Sequence, residues 1–137
     1  MSRPVSDLGR LLATLQPELQ EGVYVFSSVP PETDIQAVPA VATFREQEGV
    51  TLIVEESIAR QHGLPVLFRA AWITLTVHSD LEAVGLTAAV AAALAAVQIS
   101  CNVVAAAHHD HLFVPIGRTQ EALAALNRLQ EENQPAA

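Results

Sequence analysis

The residues best suited to bind a small molecule lie in the segment 77–85, which reads Val-His-Ser-Asp-Leu-Glu-Ala-Val-Gly. This segment joins an alternating apolar run, typical of a strand, to an alanine-rich run, typical of a helix. The first N–H groups of a helix have no partner inside the helix, so together with the helix dipole they can hold a carboxylate. Asp80, or after it Glu82, could then receive an ammonium group. The two features together would suit a small molecule that carries both a carboxylate and an ammonium group.

Gly85 stands where the loop meets this predicted helix. Because glycine has no Cβ, a ligand can come close to the backbone there, and we expect its carboxylate to meet the N–H groups from Val84 to Leu86. The predicted site runs from Ser79 to Thr87. Replacing Gly85 by valine should block the site at a modest cost to folding if Gly85 begins the helix. A simpler interpretation stays open, in which Ser79 begins an ordinary capping box and Gly85 only permits close packing.

A run of three histidines and one aspartate, residues 108–111, resembles a metal site. His109 and His111, at i and i+2, could share one face of a strand, and the aspartate between them could bind a hard cation. A zinc site requires three or four convergent ligands, however, and the only other histidines are His62 and His78. We therefore interpret the run as a polar turn and predict no metal and no cofactor. His78, His109 and His111 stay possible further contacts of the ligand.

Few residues suggest catalysis. No serine, histidine and aspartate occur with the glycine pattern of a nucleophile elbow, and no phosphate-binding or dinucleotide fingerprint follows a predicted strand. Cys101 lies in an apolar run and is typical of a small buried residue rather than of a nucleophile. Arg45 could pair with a ligand carboxylate or, more simply, with Glu46 or Glu48. We predict that the protein is not an enzyme.

The composition limits the classes of partner. The chain has 137 residues, half of them hydrophobic, which suits one compact body or two small subdomains. Its 15 acidic residues stand against seven arginines and no lysine, and the net charge of −8 comes with no basic cluster. Nucleic acid and anionic membrane surfaces both need such a cluster, so we expect neither as a partner. The single cysteine, and the lack of a signal segment or an apolar span, predict a cytoplasmic protein.

The elements around the predicted site form a ferredoxin-like unit. An alternating apolar strand precedes the site, an apolar-striped helix follows it, and two further apolar strands flank the histidine turn, at residues 72–77, 86–97, 99–107 and 112–116. Strand, helix, strand, turn and strand in this order predict α+β structure, in which antiparallel sheets carry helices on one face.

The first half of the chain repeats part of this order. A helix, a strand, a hairpin and a second helix are predicted there, at residues 7–16, 23–29, 40–54 and 55–62. A proline-rich loop stands where the second half has its helix, and a last helix covers residues 118–130. We therefore predict two tandem βαββ units: a degenerate one over residues 1–68, a complete one over residues 69–132, and a tail at residues 133–137. The strand at residues 24–28 is the nearest element that could cover the open edge of the second unit.

One face of the strand at residues 72–77, opposite its core residues, is open unless a partner covers it. The residues on this face, with two from the last hairpin, are Trp72, Thr74, Thr76, His78, His111 and Phe113. Because tryptophan is costly to leave in water, we predict that another subdomain or a second copy covers this face. We therefore expect a homodimer.

Six short segments carry a resemblance that covers roughly residues 7–130. They read Tyr24-Val25-Phe26, Ala42-Thr43-Phe44-Arg45-Glu46, Glu48-Gly49-Val50-Thr51-Leu52, Thr74-Leu75-Thr76-Val77-His78-Ser79, Ala83-Val84-Gly85-Leu86-Thr87 and His109-Asp110-His111-Leu112-Phe113-Val114-Pro115. In these segments the chain resembles the ACT-domain family, and within it a bacterial family of small tandem ACT proteins. The segment around Gly85 is also similar to the tandem-ACT cytosolic arginine sensors of animals.

The resemblance implies a ferredoxin-like fold of ACT type with a small-molecule ligand, usually an amino acid, at the loop between the first strand and the first helix of a unit. It also implies that Asn102 offers its amide to the ligand, and that ACT units pair. The predicted function is therefore amino-acid sensing or regulation without catalysis. Two alternatives stay open, a metal-dependent enzyme that uses residues 108–111 and a structural adaptor whose open sheet face binds another protein.

Overall fold

A computed structural model describes the backbone of residues 4–77 and 85–134, and the side chains of these residues from Leu8 onward. The described helices are α1 (Pro4–Ala13), α2 (Glu56–Gln61), α3 (Leu86–Ala96) and α4 (Thr119–Glu132), the last of which follows a short 3-10 helix, Ile116–Arg118. The strands are β1 (Pro17–Leu19), β2 (Tyr24–Val29), β3 (Ala42–Arg45), β4 (Val50–Glu55), β5 (Phe68–Leu75), β6 (Asn102–Ala105) and β7 (Asp110–Pro115). The pairs β1–β5, β2–β4, β2–β5, β3–β4 and β6–β7 are antiparallel. The predicted α+β, ferredoxin-like class is confirmed. Among these helices, none is long and apolar enough to cross a membrane.

The chain divides into a central unit, residues 21–71, and a terminal unit, residues 1–20 with 72–137. Helix α1 and strand β1 thus group in space with the second half of the chain, although they come first in the sequence. The sequence predicted two consecutive domains that meet at residue 68. This boundary stays a prediction.

In the central unit the strand order is β3-β4-β2-β5. The inward-facing valines and leucine of β2 and β4 form one buried cluster with Ala59 of α2. Ile35 and Val38 of the proline-rich loop pack against the same cluster. The loop therefore closes this core at the place in the chain where the terminal unit has helix α3.

In the terminal unit the order is β5-β7-β6, and β1 pairs with the last residues of β5. Ile73 and Leu75, the alternating apolar residues of β5, are fully buried as their period predicts. Strand β1 was not predicted, because three residues beginning with Pro17 show no alternation. It places Pro17 opposite Leu75 and Leu19 opposite Ile73, so it covers this part of β5 where the sequence suggested the strand at residues 24–28.

Strand β6 is shorter than the predicted run of residues 99–107, because the residues before it close helix α3. The N–H of Ile99 donates to the carbonyl of Leu94 at 3.0 Å, and the N–H of Gln98 donates to that of Ala95 at 2.9 Å. These two bonds form a Schellman motif, whose characteristic position is held by Gln98 with φ +63°. This left-handed backbone conformation is unfavourable for a residue that has a Cβ.

Replacing Gln98 by glycine should stabilise the protein by about 0.5–1 kcal/mol, because glycine adopts the left-handed conformation without a steric penalty. Urea unfolding measures the change. Gln98→Ala keeps the Cβ and is the matched control, and we expect its stability to stay near that of the wild type. A glycine variant no more stable than the alanine variant would show that the conformation of Gln98 carries no strain.

Candidate ligand site at the start of helix α3

Gly85 immediately precedes α3, with φ +100° and ψ −23°. Its carbonyl accepts the first hydrogen bond of the helix, from the N–H of Ala89 at 2.9 Å. Because glycine has no side chain, it cannot cap the free N–H groups of the first turn, and that turn holds no acidic residue. The start of α3 is therefore a point of positive potential where a carboxylate can bind.

The side of Gly85 on which a Cβ would stand faces Leu8 of α1. A Cβ built there would lie 2.9 Å from Cδ2 of Leu8, closer than such atoms approach in proteins. Close packing, the simpler of the two interpretations of this glycine, is thus what its small size permits. The expectation that valine at position 85 costs folding little is wrong, since the left-handed backbone and Leu8 both oppose a side chain.

Two other predicted contacts, Leu86 and Thr87, lie within the described residues. Leu86 is only 2% exposed, so its side chain is not available to a ligand. Thr87, the second residue of the helix, is exposed. The remaining residues of the predicted loop lie outside the described part of the chain: His78, Ser79, Asp80, Glu82 and Val84.

Asn102 begins β6, in register with Phe113, and its side-chain amide donates to the carbonyl of Phe113 at 3.4 Å. The chain reaches Asn102 from the C-terminal end of α3, where Ile99 is bonded to the last turn of the helix. Since α3 has 11 residues, its two ends are about 16 Å apart. The structure therefore does not bring Asn102 to Gly85 within one chain, and its contact with a ligand stays a prediction.

Trp72 and His111 form the centre of a polar network on β5 and β7. The indole N–H of Trp72 donates to Nδ1 of His111 at 3.0 Å, and Oγ1 of Thr74 lies 3.1 Å from the same nitrogen. Gln20 donates from Nε2 to Oγ1 of Thr74 at 2.9 Å. The ring of Phe113 stacks on Trp72, with 5.9 Å between the ring centres. These contacts bring together four of the six residues of the predicted face, Trp72, Thr74, His111 and Phe113. This part of the face is not open, because Thr74 and Phe113 are only 5% and 1% exposed.

The network fixes the state of the His111 ring. Because Nδ1 accepts hydrogen bonds, the neutral ring carries its proton on Nε2. Burial lowers the pKa of His111 and nearby His109 lowers it further, while Asp110 opposes both. His111 is therefore a neutral acceptor at pH 7, and its Nδ1 is already engaged and not available to a metal ion.

Neither a metal site nor a reactive Cys101 is supported by the described residues. No three histidine, cysteine, aspartate or glutamate side chains in residues 8–77 and 85–134 come together as a metal site. Cys101 is half-buried and precedes β6 rather than lying inside a strand, and burial raises the pKa of its thiol to about 11. A thiol with this pKa stays protonated at neutral pH and is a poor nucleophile.

Two contacts were not predicted from the sequence. Leu8 packs beside Gly85, and Gln20 bonds with Thr74. Leu8 belongs to the apolar stripe of an amphipathic helix, and Gln20 follows a strand too short to recognise. A periodic pattern shows which face of an element is apolar, but it does not show which distant element that face meets.

The comparisons with known proteins agree with this fold. The profile of the ACT domain matches residues 3–71, and a second ACT-domain profile matches residues 68–128. A crystallised protein of unknown function from Vibrio cholerae, described as a possible transport protein, is 46% identical, and the match covers 93% of this chain and 99% of that one with a TM-score of 0.83. No curated protein matches the chain.

Two more distant structures share the fold alone. Protein Atu0741 from Agrobacterium tumefaciens is 15% identical over 85% of this chain and 89% of its own, with a TM-score of 0.68. The regulatory subunit of aspartate kinase from Thermus flavus is 9% identical over 84% of this chain and 95% of its own, with a TM-score of 0.57.

Proposed function

Because the chain belongs to the ACT-domain family and holds two tandem ACT domains, we propose that it is a regulatory protein that binds an amino acid and does no chemistry of its own. ACT domains are regulatory modules that bind small molecules, and the fold is shared with the regulatory subunit of an aspartate kinase. These likenesses support the class of function, and the choice of an amino acid is our proposal.

The observation that carries this proposal is the start of α3. The glycine before the helix cannot cap the N–H groups of Leu86 and Thr87, and the first turn holds no carboxylate that would repel an anion. An α-carboxylate fits there, and the adjoining loop carries Asp80 and Glu82 to receive the ammonium group. A ligand with both charges on one carbon satisfies both ends of this arrangement.

A thermal-shift screen of the twenty amino acids at millimolar concentration tests this function. One amino acid, or one chemical class of them, should raise the melting temperature. A ligand at about 100 times its Kd adds roughly 2.7 kcal/mol to the free energy of unfolding, which is several degrees for a chain of this size. Calorimetry on the hit then gives the affinity.

Thr87 offers the sharpest variant for locating the ligand. Thr87→Glu places a carboxylate where the ligand's own carboxylate would bind, so it should weaken binding by roughly tenfold or more without destabilising the helix start. Thr87→Gln, similar in size but uncharged, is the matched control and should bind nearly as well as the wild type. Asp80→Asn should weaken binding by removing one charge-assisted bond, roughly tenfold to a hundredfold.

Two results would contradict parts of this proposal. If no amino acid raises the melting temperature, the choice of an amino acid is wrong. If one does, and Thr87→Glu binds it as well as Thr87→Gln, the ligand is real but its carboxylate does not lie at α3. Asn102→Ala separates a further possibility, since lost binding in this variant alone would place the site at the start of β6.

The finer predictions on partners and place stay proposals. The charge of −8 without a basic cluster supports a protein that binds neither nucleic acid nor anionic membrane. The single cysteine supports a cytoplasmic location. A homodimer is expected from the sequence, and it stays a proposal.

A further inference from the structure

A cleft lies between helices α3 and α4, which pack together in the terminal unit. Three of its lining residues share one face of α3 and its C-cap, at i, i+3 and i+4: Ala93, Ala96 and Val97. Three others share one face of α4: Arg128, Leu129 and Glu132. The cleft is therefore formed by the faces that the two helices turn toward each other.

The cleft is large enough for the side chain of a small ligand. Its volume is about 140 Å³, and a protein cavity of about 150 Å³ can take up benzene. Val97 and Leu129 are half-buried and give it apolar walls. The room exists because α3 presents alanines here, where a larger side chain would fill the space. Ala96 is exposed, so the cleft opens to solvent on its side.

Two opposite charges stand at the rim of the cleft. Arg128 and Glu132 are exposed and lie four residues apart on α4, which puts their Cβ atoms about 6 Å from each other. The order with the cation first is the less favourable one for a helical ion pair. The ion pairs among the described residues join other side chains. A guanidinium and a carboxylate are thus both available to a ligand at this rim.

The end of α4 adds to this charge pattern. The helix ends at Glu132, and its last turn holds no basic residue. The negative end of the helix dipole therefore reinforces the carboxylate of Glu132, and both favour an ammonium group. Arg128, one turn earlier, favours a carboxylate. A ligand with a carboxylate alone would be repelled by Glu132, whereas one with both charges suits both ends of the rim.

From the volume and the charges of this cleft we propose a second small-molecule site, which binds a free amino acid with a branched aliphatic side chain. The side chain enters between α3 and α4, the carboxylate pairs with Arg128, and the ammonium group pairs with Glu132. This site does not depend on the one proposed at Gly85, since Val97 follows α3 at the opposite end of the helix.

A titration of the isotope-labelled full chain with L-leucine, followed by the amide chemical shifts in nuclear magnetic resonance, tests the site. Saturable shifts are expected at Ala93, Val97 and Leu129, with a Kd near about 1 mM. L-Alanine lacks most of the apolar side chain and should bind about tenfold more weakly. Isoamylamine, which is leucine without its carboxylate, and isocaproate, which is leucine without its ammonium group, should each bind about tenfold more weakly as well.

Two variants with matched controls locate the ligand. Ala96→Leu fills the cleft and should weaken leucine binding by about tenfold or more. Ala95→Leu adds the same side chain at an exposed position of α3 outside the cleft and should bind like the wild type. Arg128→Gln removes the partner of the carboxylate and should weaken binding about tenfold, whereas Arg128→Lys keeps the charge and should stay within about threefold.

The same titration separates this site from the proposed function. Shifts confined to Leu86 and Thr87 would place leucine at the start of α3, which supports the proposed function and overturns the cleft. Cleft shifts that persist unchanged in Ala96→Leu would overturn it too. If leucine causes no saturable shift up to about 10 mM, the cleft is not a site for this class of ligand, while the screen of the other amino acids still decides the proposed function.

Discussion

Gly85→Ala should lower the free energy of unfolding by about 1–2 kcal/mol. The left-handed backbone at φ +100° accounts for most of this. The remainder is the cost of moving the end of the Leu8 side chain, since the new Cβ would lie 2.9 Å from Leu8 Cδ2. Urea unfolding of the full chain measures the loss. Because the variant is destabilised, weaker ligand binding in it would not locate the site, which is why Thr87 is the better position for that purpose.

Two other glycines distinguish the backbone cost at Gly85 from the packing cost against Leu8. Gly63 has φ +65° with nothing near its missing Cβ, so Gly63→Ala should show the backbone cost alone, about 1 kcal/mol. Gly117 has neither a positive φ nor a neighbour within 4 Å, and Gly117→Ala should change the stability by less than about 0.5 kcal/mol or raise it slightly. Shortening the neighbour, in the pair Leu8→Ala with Gly85→Ala, should recover the packing part. A Gly85→Ala variant no less stable than Gly63→Ala would show that Leu8 yields freely.

The elements with a clear period were the ones that the sequence could place. The alternation of Ile73 and Leu75 predicted a strand and its buried face, and the same alternation put Trp72 on the face that His111 shares. The helix α3 and the hairpin turn after β6 followed from similar local patterns. In each case the signal lies within a few residues, and the physical cause is the exchange of water for apolar contact along one face.

What the sequence could not show depends on contacts between distant segments. The sequence left Gly85 open to a role in ligand binding or in packing, and it could not show that Leu8, in α1, stands beside this glycine. The short strand β1 forms by pairing with the end of β5, with Leu19 opposite Ile73, and the sequence of three residues does not reveal this pairing. Strand β6 is shorter than predicted because Ile99 bonds to the end of α3 instead of beginning the strand. An apolar residue suits both positions, so the sequence could not distinguish them. The exposure of Phe44 was likewise hidden, because an apolar residue in a predicted strand is expected to be buried.

The last prediction concerns His111, whose protonation should weaken the folded state as the pH falls below about 6.5. Its pKa is lowered in the fold, below about 6.5 for an unfolded histidine. The unfolded chain therefore binds the proton more readily than the folded one. The stabilising contribution of the neutral ring is fully present above pH 6.5 or so and is lost as the pH falls toward the folded pKa. The pKa of Glu56 is also lowered, but protonation of this carboxylate affects the stability only below about pH 4.5.

The physical reason lies in the network around Nδ1. A protonated ring carries hydrogen on this atom, so the indole N–H of Trp72 loses its acceptor and the two donors face each other. His111→Ala should lower the free energy of unfolding at pH 7.5 by about 2–4 kcal/mol, since it removes that acceptor and the ring that contacts Trp72. It should also remove the loss of stability below about pH 6.5. The matched control is His108→Ala, because His108 is exposed and its removal should leave the pH dependence in place.

Trp72 is the only tryptophan of the chain, so its fluorescence reports on this one network. We expect the emission to change as His111 takes up a proton beside the indole, with a midpoint below about pH 6.5 that matches the loss of stability in urea unfolding. The change should vanish in His111→Ala and persist in His108→Ala. A midpoint at or above 6.5, or an unchanged titration in His111→Ala, would show that the neutral ring of His111 does not hold this face together.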